Sequence, residues 1–511
     1  MNSINEGPSA QTLERLRGIR RGIEKESLRS KPGGGLAATP HPQALGTPLT
    51  HPHITTDFSE SQVELITGVH ADVNACIAEL TQVQQVTVRA LGDEMLWVSS
   101  MPCGLPPDDQ IPLGQYGSSN VGLAKTVYRR GLGHRYGRLM QTISGIHYNW
   151  SLPDVSNDGY FGLIRNFRRH AFLLLYLFGA SPSVCSTFVA GRQHRLRQLG
   201  QHTMYLPYAT SLRMGRLGYQ SDAQASLAVS YNNLEGYGKS LEQALTQSYP
   251  AYDAIGVQGP DGEYRQLGTS LLQIENEFYG TIRPKRVIYS GERPLHALRE
   301  RGVEYVEVRL MDLDPFETVG ITSQTVRFLD VFLLHCLQTP SALDTPQEIA
   351  SLGRNQHAVA ERGREPGLLL ERGDSTVSLV AWGQELLTQM RPIAEQLDQA
   401  HATDHYSAAV QAAQQSLQAP DTLPSARVLH AIEHDYDCSF VGFVKARSQQ
   451  VKADMLALPL DAATDAKYQA MARESWAEQA RIEAADTMPF DVYLKAYLDP
   501  RRLTAGHLKS A

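Results

Sequence analysis

Apolar residues recur along this chain with two different periods, and the changes between them divide it into elements. Period two occurs in four short stretches: "GIEKES" (Gly22–Ser27), "QVELIT" (Gln62–Thr67), "SGIHYNWSL" (Ser144–Leu152) and "YVEVRLM" (Tyr305–Met311). Alternate residues of a strand point to opposite faces. Glu24 therefore shares a face with Glu26, His147 with Asn149 and Ser151, and Glu307 with Arg309. Ile146, Tyr148, Trp150, Val306, Val308 and Leu310 form apolar backs. The "QVELIT" pattern is less clean, because Glu64 shares its face with Gln62 and Ile66.

Spacings of three and four predict helices over "DVNACIAELTQVQQVTVRAL" (Asp72–Leu91), "NVGLAKTVYRRGLGHRYGRLMQ" (Asn120–Gln141) and "SQTVRFLDVFLLHCLQ" (Ser323–Gln338). Residues 1–18 read as a helical lead-in, and residues 181–300 as loops and short elements. The longest apolar run, "AFLLLYLFGA" (Ala171–Ala180), has about half the roughly 20 residues a membrane span needs, and predicts a buried helix. After residue 338 the composition shifts. "TPSALDTPQEIASLGRNQHAVAERGREPG" (Thr339–Gly367) reads as a loop-rich connection, followed by Ala-, Gln-, Glu- and Leu-rich helical sequence. The expected class is α+β, with a catalytic body over residues 1–338 and a mainly helical region, 339–511, packed on it.

Charge narrows the function. The 511 residues carry a net charge of −7 and no long basic run, which argues against general nucleic-acid binding. The five cysteines are far apart with no CxxC pair, a pattern that argues against structural zinc and a disulfide framework and suits a reducing compartment. Cys103 and Cys185 read as small buried residues. The polar N-terminus lacks the apolar core of a signal peptide. A soluble cytoplasmic protein with no membrane partner is expected. Phosphate loops are missing too: GxxxxGK[ST] does not occur, and "GLGHRYG" (Gly131–Gly137) misses the dinucleotide spacing. A nucleotide would need metal-bridged phosphates.

The polar fronts of the four strands are mainly glutamate. For any one strand an ordinary wet face explains this; four together do not fit it well. Converging carboxylates repel by about 1 kcal/mol per pair at 4 Å in water, and about four times that near a protein surface. A cation should hold them. Oxygen-rich donor sets favour Mg²⁺ or Mn²⁺, and histidine suits Mn²⁺ as well. Two positions stay ambiguous: Asp57 could cap a helix beginning at "SESQ", and His147 by itself could be structural.

In order between residues 18 and 335, "RGIEKESLR", "LTHPHITTDFSESQVELIT", "YGSSNVGLAKTVYRRGL", "RYGRLMQTISGIHYNWSLP", "YLPYATSLRMGRLGY", "QIENEFYGTIRPKR" and "VEYVEVRLMDLDPF" closely resemble glutamate–cysteine ligases of the proteobacterial type. "EAADTMPFDVYL" near the C-terminus fits as well. The segment after "NWSLP" is shorter than in that family, and residues 340–470 match it loosely.

The resemblance implies a glutamine synthetase-like fold, with a curved, largely antiparallel sheet forming a funnel. It implies ATP-dependent joining of the γ-carboxylate of L-glutamate to the amine of L-cysteine through γ-glutamyl phosphate, the first step of glutathione synthesis. Metal ligands would be Glu24, Glu26, Asp57, Glu64, His147 and Glu307, with Arg309 on the transferred phosphate. Arg129, Gln141 and Asn149 would hold glutamate or the acyl phosphate. Phe58, Tyr128, Arg213, Tyr219 and Tyr279 would form the cysteine pocket, and Lys285 and Arg286 would touch nucleotide phosphates or form a surface turn. Glutathione is expected as a feedback inhibitor; oligomeric state is open and compatible with a monomer. Two alternatives remain: a related ATP-dependent ligase with another amine substrate, and an inactive metal- or nucleotide-binding relative.

Overall fold

The computed structural model describes residues 10–218, 227, 229–289 and 291–504. Its centre is an open antiparallel sheet of seven strands. In chain order these are β1 (Arg20–Ser30), β2 (Ile54–Thr56), β3 (Gln62–Ile66), β4 (Met95–Leu96) and β5 (Ile146–Ser151), followed after a small sheet of β6 (Ser183–Cys185), β7 (Arg197–Gln198) and β8 (Thr203–Tyr205) by β9 (Ile282–Lys285) and β10 (Tyr305–Met311). The strand order is β2-β3-β1-β5-β10-β9, with β4 on the far end of β1. All four strands expected from alternation are present and adjacent. Their register sets Glu26 opposite Glu64, Glu24 opposite His147, and Glu307 opposite Asn149.

The apolar back explains why this face turns inward. Ile23, Tyr148, Trp150, Val306 and Val308 are fully buried. They lie under the helices α2 (Val73–Ala90), α5 (Asn157–Phe178) and Ser323–Gln338, which pack on one another and on the sheet. A polar network is sealed in with them. The Arg21 guanidinium pairs with Asp330 at 2.9 Å, both fully buried, and Tyr148 Oη donates to Asp330 at 2.6 Å.

Local signals start and stop the helices. Asp72 caps α2 by accepting from the Ala75 N–H, and Ser119 caps α3 (Asn120–Tyr136) by accepting from Gly122. The helix expected over Asn120–Gln141 is broken in two, because Gly137 adopts φ 79° between α3 and α4 (Arg138–Gln141). That left-handed region is open to glycine at little cost.

Three further expectations are corrected. The "loop-rich" Thr339–Gly367 contains a helix, Pro346–Arg362, capped by Thr345 with proline at its start. A hairpin, β11 (Leu369–Arg372) with β12 (Ser375–Ser378), interrupts the helical remainder. Cys103 and Cys185 are joined as a disulfide, 82 residues apart in sequence with Cα atoms 5.4 Å apart. Spacing along the chain does not show that β6 runs beside the loop after β4. One hydrophobic cluster extends from Leu16 to Leu503, crossing residue 338. Among the described residues no helix is long and apolar enough to cross a membrane.

Candidate active site

Strand parity and register together raise a row of acidic groups on the polar face. Ligand atoms of Glu24, Glu64 and His147 lie within 4.8 Å of one another. His147 Nδ1 is 3.0 Å from Glu24 Oε2, and its Nε2 is 3.5 Å from Glu26 Oε1. Asn149 Nδ2 donates to Glu24 Oε1 at 2.8 Å, and the Gly145 N–H donates to Glu26 Oε2 at 2.8 Å. A Cβ at Gly145 would collide with the Arg213 guanidinium, so any larger residue there would displace that group.

The electrostatics of this row are unbalanced. Burial pushes the Glu64 carboxyl well above its ordinary range, and the charges of Glu24, Asp57 and Glu26 push it further. Burial, with Asp57 beside it, raises Glu26 to about 7. Burial also opposes ionisation of Glu24, yet its hydrogen bond with His147 holds it below the usual value. Carboxylates and an imidazole converging in this way form a donor set that fits a hard divalent cation.

At the other edge the balance reverses. Glu307 lies 3.2 Å from Lys285 Nζ and 3.1 Å from Arg309 Nη1. Although Glu307 is buried, those two cations hold its carboxyl well below the usual range. Arg309 and Lys285 therefore stand beside the acidic row with positive charge turned toward it.

Helix α3 forms the opposite wall. Asp57 does not cap a helix; it sits in the β2–β3 hairpin, where its N–H donates to the Gln62 carbonyl. Arg129 donates through Nε to the Asp57 carbonyl and through Nη1 to the Lys125 carbonyl at 2.9 Å. Gln141 Nε2 donates to Tyr279 Oη at 2.7 Å, and the Tyr136 ring packs edge-on against Tyr279 at 5.7 Å. Beneath them Glu277, fully buried, accepts from Tyr136 Oη at 2.7 Å and Arg135 Nη1 at 2.9 Å. This network fixes the aromatic wall.

These groups enclose one cavity of about 610 Å³. Glu24, Glu26, Asp57, Glu64, His147, Glu307 and Arg309 line it, as do Phe58, Tyr128, Arg129, Gln141, Arg213, Tyr279 and Lys285. Three expected positions differ. Asn149 stands behind Glu24 and orients it, without lining the cavity. Arg286 lies outside, 3.4 Å from Glu304 and donating to the Arg301 carbonyl, which is the surface-turn alternative. Tyr219 falls outside the described residues.

Sequence reasoning missed Lys125, Arg283, Tyr493 and Tyr497, which also line the cavity. The two tyrosines come from the helix Phe490–Tyr497, held against α3 by Asn120 Nδ2 donating to Asp486 and to the Met488 carbonyl. Tyr493 lies inside the "EAADTMPFDVYL" stretch and Tyr497 three residues beyond it, so the first had a sequence signal and the second only its neighbourhood.

Known proteins of similar sequence and fold point to one family. The family model described as glutamate-cysteine ligase matches residues 5–359. A glutamate–cysteine ligase of Alcanivorax borkumensis is 47% identical, over 96% of this chain and 97% of that protein. Another, from Saccharophagus degradans, is 46% identical over 94% of each. The crystal structure of a Francisella tularensis glutamate–cysteine ligase in complex with AMP superposes with a TM-score of 0.90 at 38% identity, covering 95% of this chain and 98% of that one. A bifunctional glutathione synthetase from Pasteurella multocida gives a TM-score of 0.68 at 27% identity, over 87% of this chain and 54% of that one. By sequence over most of its length and by fold, the chain belongs to the glutamate–cysteine ligase family.

Proposed function

We propose that this protein joins the γ-carboxylate of L-glutamate to the amine of L-cysteine, converting ATP to ADP and phosphate. The observation that carries the reading is the juxtaposition, in one cavity, of a carboxylate–histidine row, the cations Arg309 and Lys285, and an aromatic wall. Glu24, Glu26, Asp57, Glu64, His147 and Glu307 would hold Mg²⁺ or Mn²⁺. When bound, such ions would neutralise phosphate oxygens in a chain whose sequence lacks the GxxxxGK[ST] phosphate-loop motif.

An unactivated carboxylate resists amine attack. In the proposed sequence a glutamate γ-carboxylate oxygen attacks the terminal phosphorus of ATP and ADP leaves. The cysteine nitrogen then attacks the acyl carbon and phosphate leaves. Arg309 is fixed by Glu307 with its charge toward the transferred group, where a planar guanidinium suits developing oxygen charge. Arg129 and Gln141 would hold glutamate. Phe58, Tyr128 and Tyr279 present a mostly apolar surface matched to a thiol, which is small and weakly polar, and Arg213 would take a carboxylate. Tyr219 is proposed for the same pocket. Residues 339–511 would close one side of the catalytic body through Tyr493 and Tyr497. Glutathione would compete through its γ-glutamyl group, and the setting would be the cytoplasm.

The test is mass-spectrometric identification of the product after incubation with ATP, glutamate and cysteine, with ADP release followed in parallel. γ-Glutamylcysteine is expected. ADP release with glutamate that is indifferent to cysteine would favour a different amine, and no turnover with any amino acid would favour an inactive relative.

A further inference from the structure

The cations lining the cavity are not equivalent. Lys285 and Arg309 pair with Glu307, and Arg168 pairs with Asp344. Arg129 gives its nitrogens to the carbonyls of Asp57, Lys125 and Thr56. Lys125 differs. It lies on α3 one turn before Tyr128 and Arg129, on the cavity wall facing the β2–β3 edge. Among the described residues its ammonium has no hydrogen-bond acceptor and forms no ion pair, even with the nearby Glu64 and Asp57. Its one close partner is the face of Tyr116, whose centroid is 4.9 Å away. That ring is itself held by Tyr116 Oη donating to the Thr56 carbonyl at 2.7 Å and the Asp57 carbonyl at 3.0 Å.

Lysine carries three donors and no acceptor, and it is costly to bury without a partner. A ring face supplies only part of the missing interaction. Here the ring beneath is fixed, the side chain lines the cavity, and no described group accepts from its three N–H donors. We propose that Lys125 is a substrate-binding residue whose ammonium takes an anionic oxygen group, either a carboxylate of an amino-acid substrate or a phosphate of the nucleotide. Burial, with repulsion from Arg129, holds its pKa down at about 8, so the group remains largely charged at neutral pH.

The proposal rests on the ligase reading of this cavity, and its test separates the two. Lys125→Met keeps the stem over Tyr116 and removes the charge; Lys125→Arg restores it. KM for ATP, glutamate and cysteine is measured for each variant and the wild type, with thermal melts to confirm folding. Lys125→Met should raise one KM about ten- to hundredfold with a smaller change in kcat, the size of one charged hydrogen bond, and Lys125→Arg should recover most of it. A rise for ATP identifies a phosphate as the partner; a rise for glutamate or cysteine identifies a carboxylate. Three unchanged KM values overturn the proposal, as does a shift confined to Mg²⁺ dependence, which would make Lys125 a counter-charge for Glu64 and Asp57. Should Lys125→Met not fold, Lys125→Gln takes its place. If the wild type forms no γ-glutamylcysteine, the ligase reading fails. Lys125 is then judged by calorimetric titration of ADP and of glutamate into wild type and variant: weaker binding by the variant sustains it, and equal or absent binding in both overturns it.

Discussion

Replacing Glu64 by glutamine tests the acidic row directly. The change keeps the size of the side chain and removes its capacity for charge. Ligand atoms of Glu64 and Glu24 are no more than 4.8 Å apart. Two ionised carboxylates at that distance repel by about 3.5 kcal/mol at an effective dielectric constant near 20. Without a cation, burial and the charges of its acidic neighbours favour the protonated form of Glu64 and shift its carboxyl well above the ordinary range. A carboxyl with a raised folded pKa binds its proton more tightly folded than unfolded. Its contribution to stability is complete below the ordinary carboxylate pKa and is lost as pH rises through the folded value. In EDTA near pH 4, where the wild-type carboxyl is largely protonated both folded and unfolded, the variant should thus melt within about 1 kcal/mol of wild type. At pH 7 it should be the more stable of the two, because only the wild type carries a carboxyl that gives up its proton more readily unfolded than folded. With metal the order reverses. A ligand should matter at least as much as an outer-shell partner, so the Mg²⁺ concentration for half-maximal activity should rise about a hundredfold or more, with partial rescue at high Mg²⁺. The assays are ADP release against Mg²⁺ concentration and melts in EDTA at both pH values. A wild-type Mg²⁺ curve together with equal melts at pH 7 would refute the ligand assignment.

Arg309→Lys keeps a charge but loses the planar fork, and kcat should fall roughly tenfold to a thousandfold with small changes in KM; an unchanged kcat places Arg309 outside the reaction. Asp330→Ala would strand the fully buried Arg21 guanidinium behind the sheet, at a cost of about 3–5 kcal/mol in chemical unfolding, and a loss under about 1 kcal/mol would contradict the network. His335 is 3% exposed with no partner for Nε2 among the described residues, and burial holds it at about 4. An unfolded imidazole near 6.5 binds more protons below that pH, so stability is complete above it and falls toward pH 4, by about 3 kcal/mol for this one group. His335→Leu should flatten that acid limb in melts from pH 7 to pH 4, and an unaltered slope would show that His335 stays accessible to protons.

Which side chains share a face can be read from the chain without its fold. Parity along an extended strand is a property of the chain alone, so Glu24 with Glu26, His147 with Asn149, and Glu307 with Arg309 were legible, and each apolar back fixed which side turns inward. Helix ends with their own chemistry, such as Asp72 before α2, were equally local. The ordered motifs carried the family resemblance, which similarity over most of the chain bears out. Relations across long separations emerge only in the folded molecule. Register set Glu26 against Glu64 and Glu24 against His147, and nothing within either strand specifies its partner. The same holds for the Cys103–Cys185 contact, for the arrival of Tyr493 and Tyr497 on α3, and for Lys125, whose helix pattern is that of any surface lysine. The physical reason is that alternation and capping are energies of a few neighbouring residues. Repulsion between carboxylates, an unmatched ammonium and the walls of a cavity exist only once distant segments have packed together.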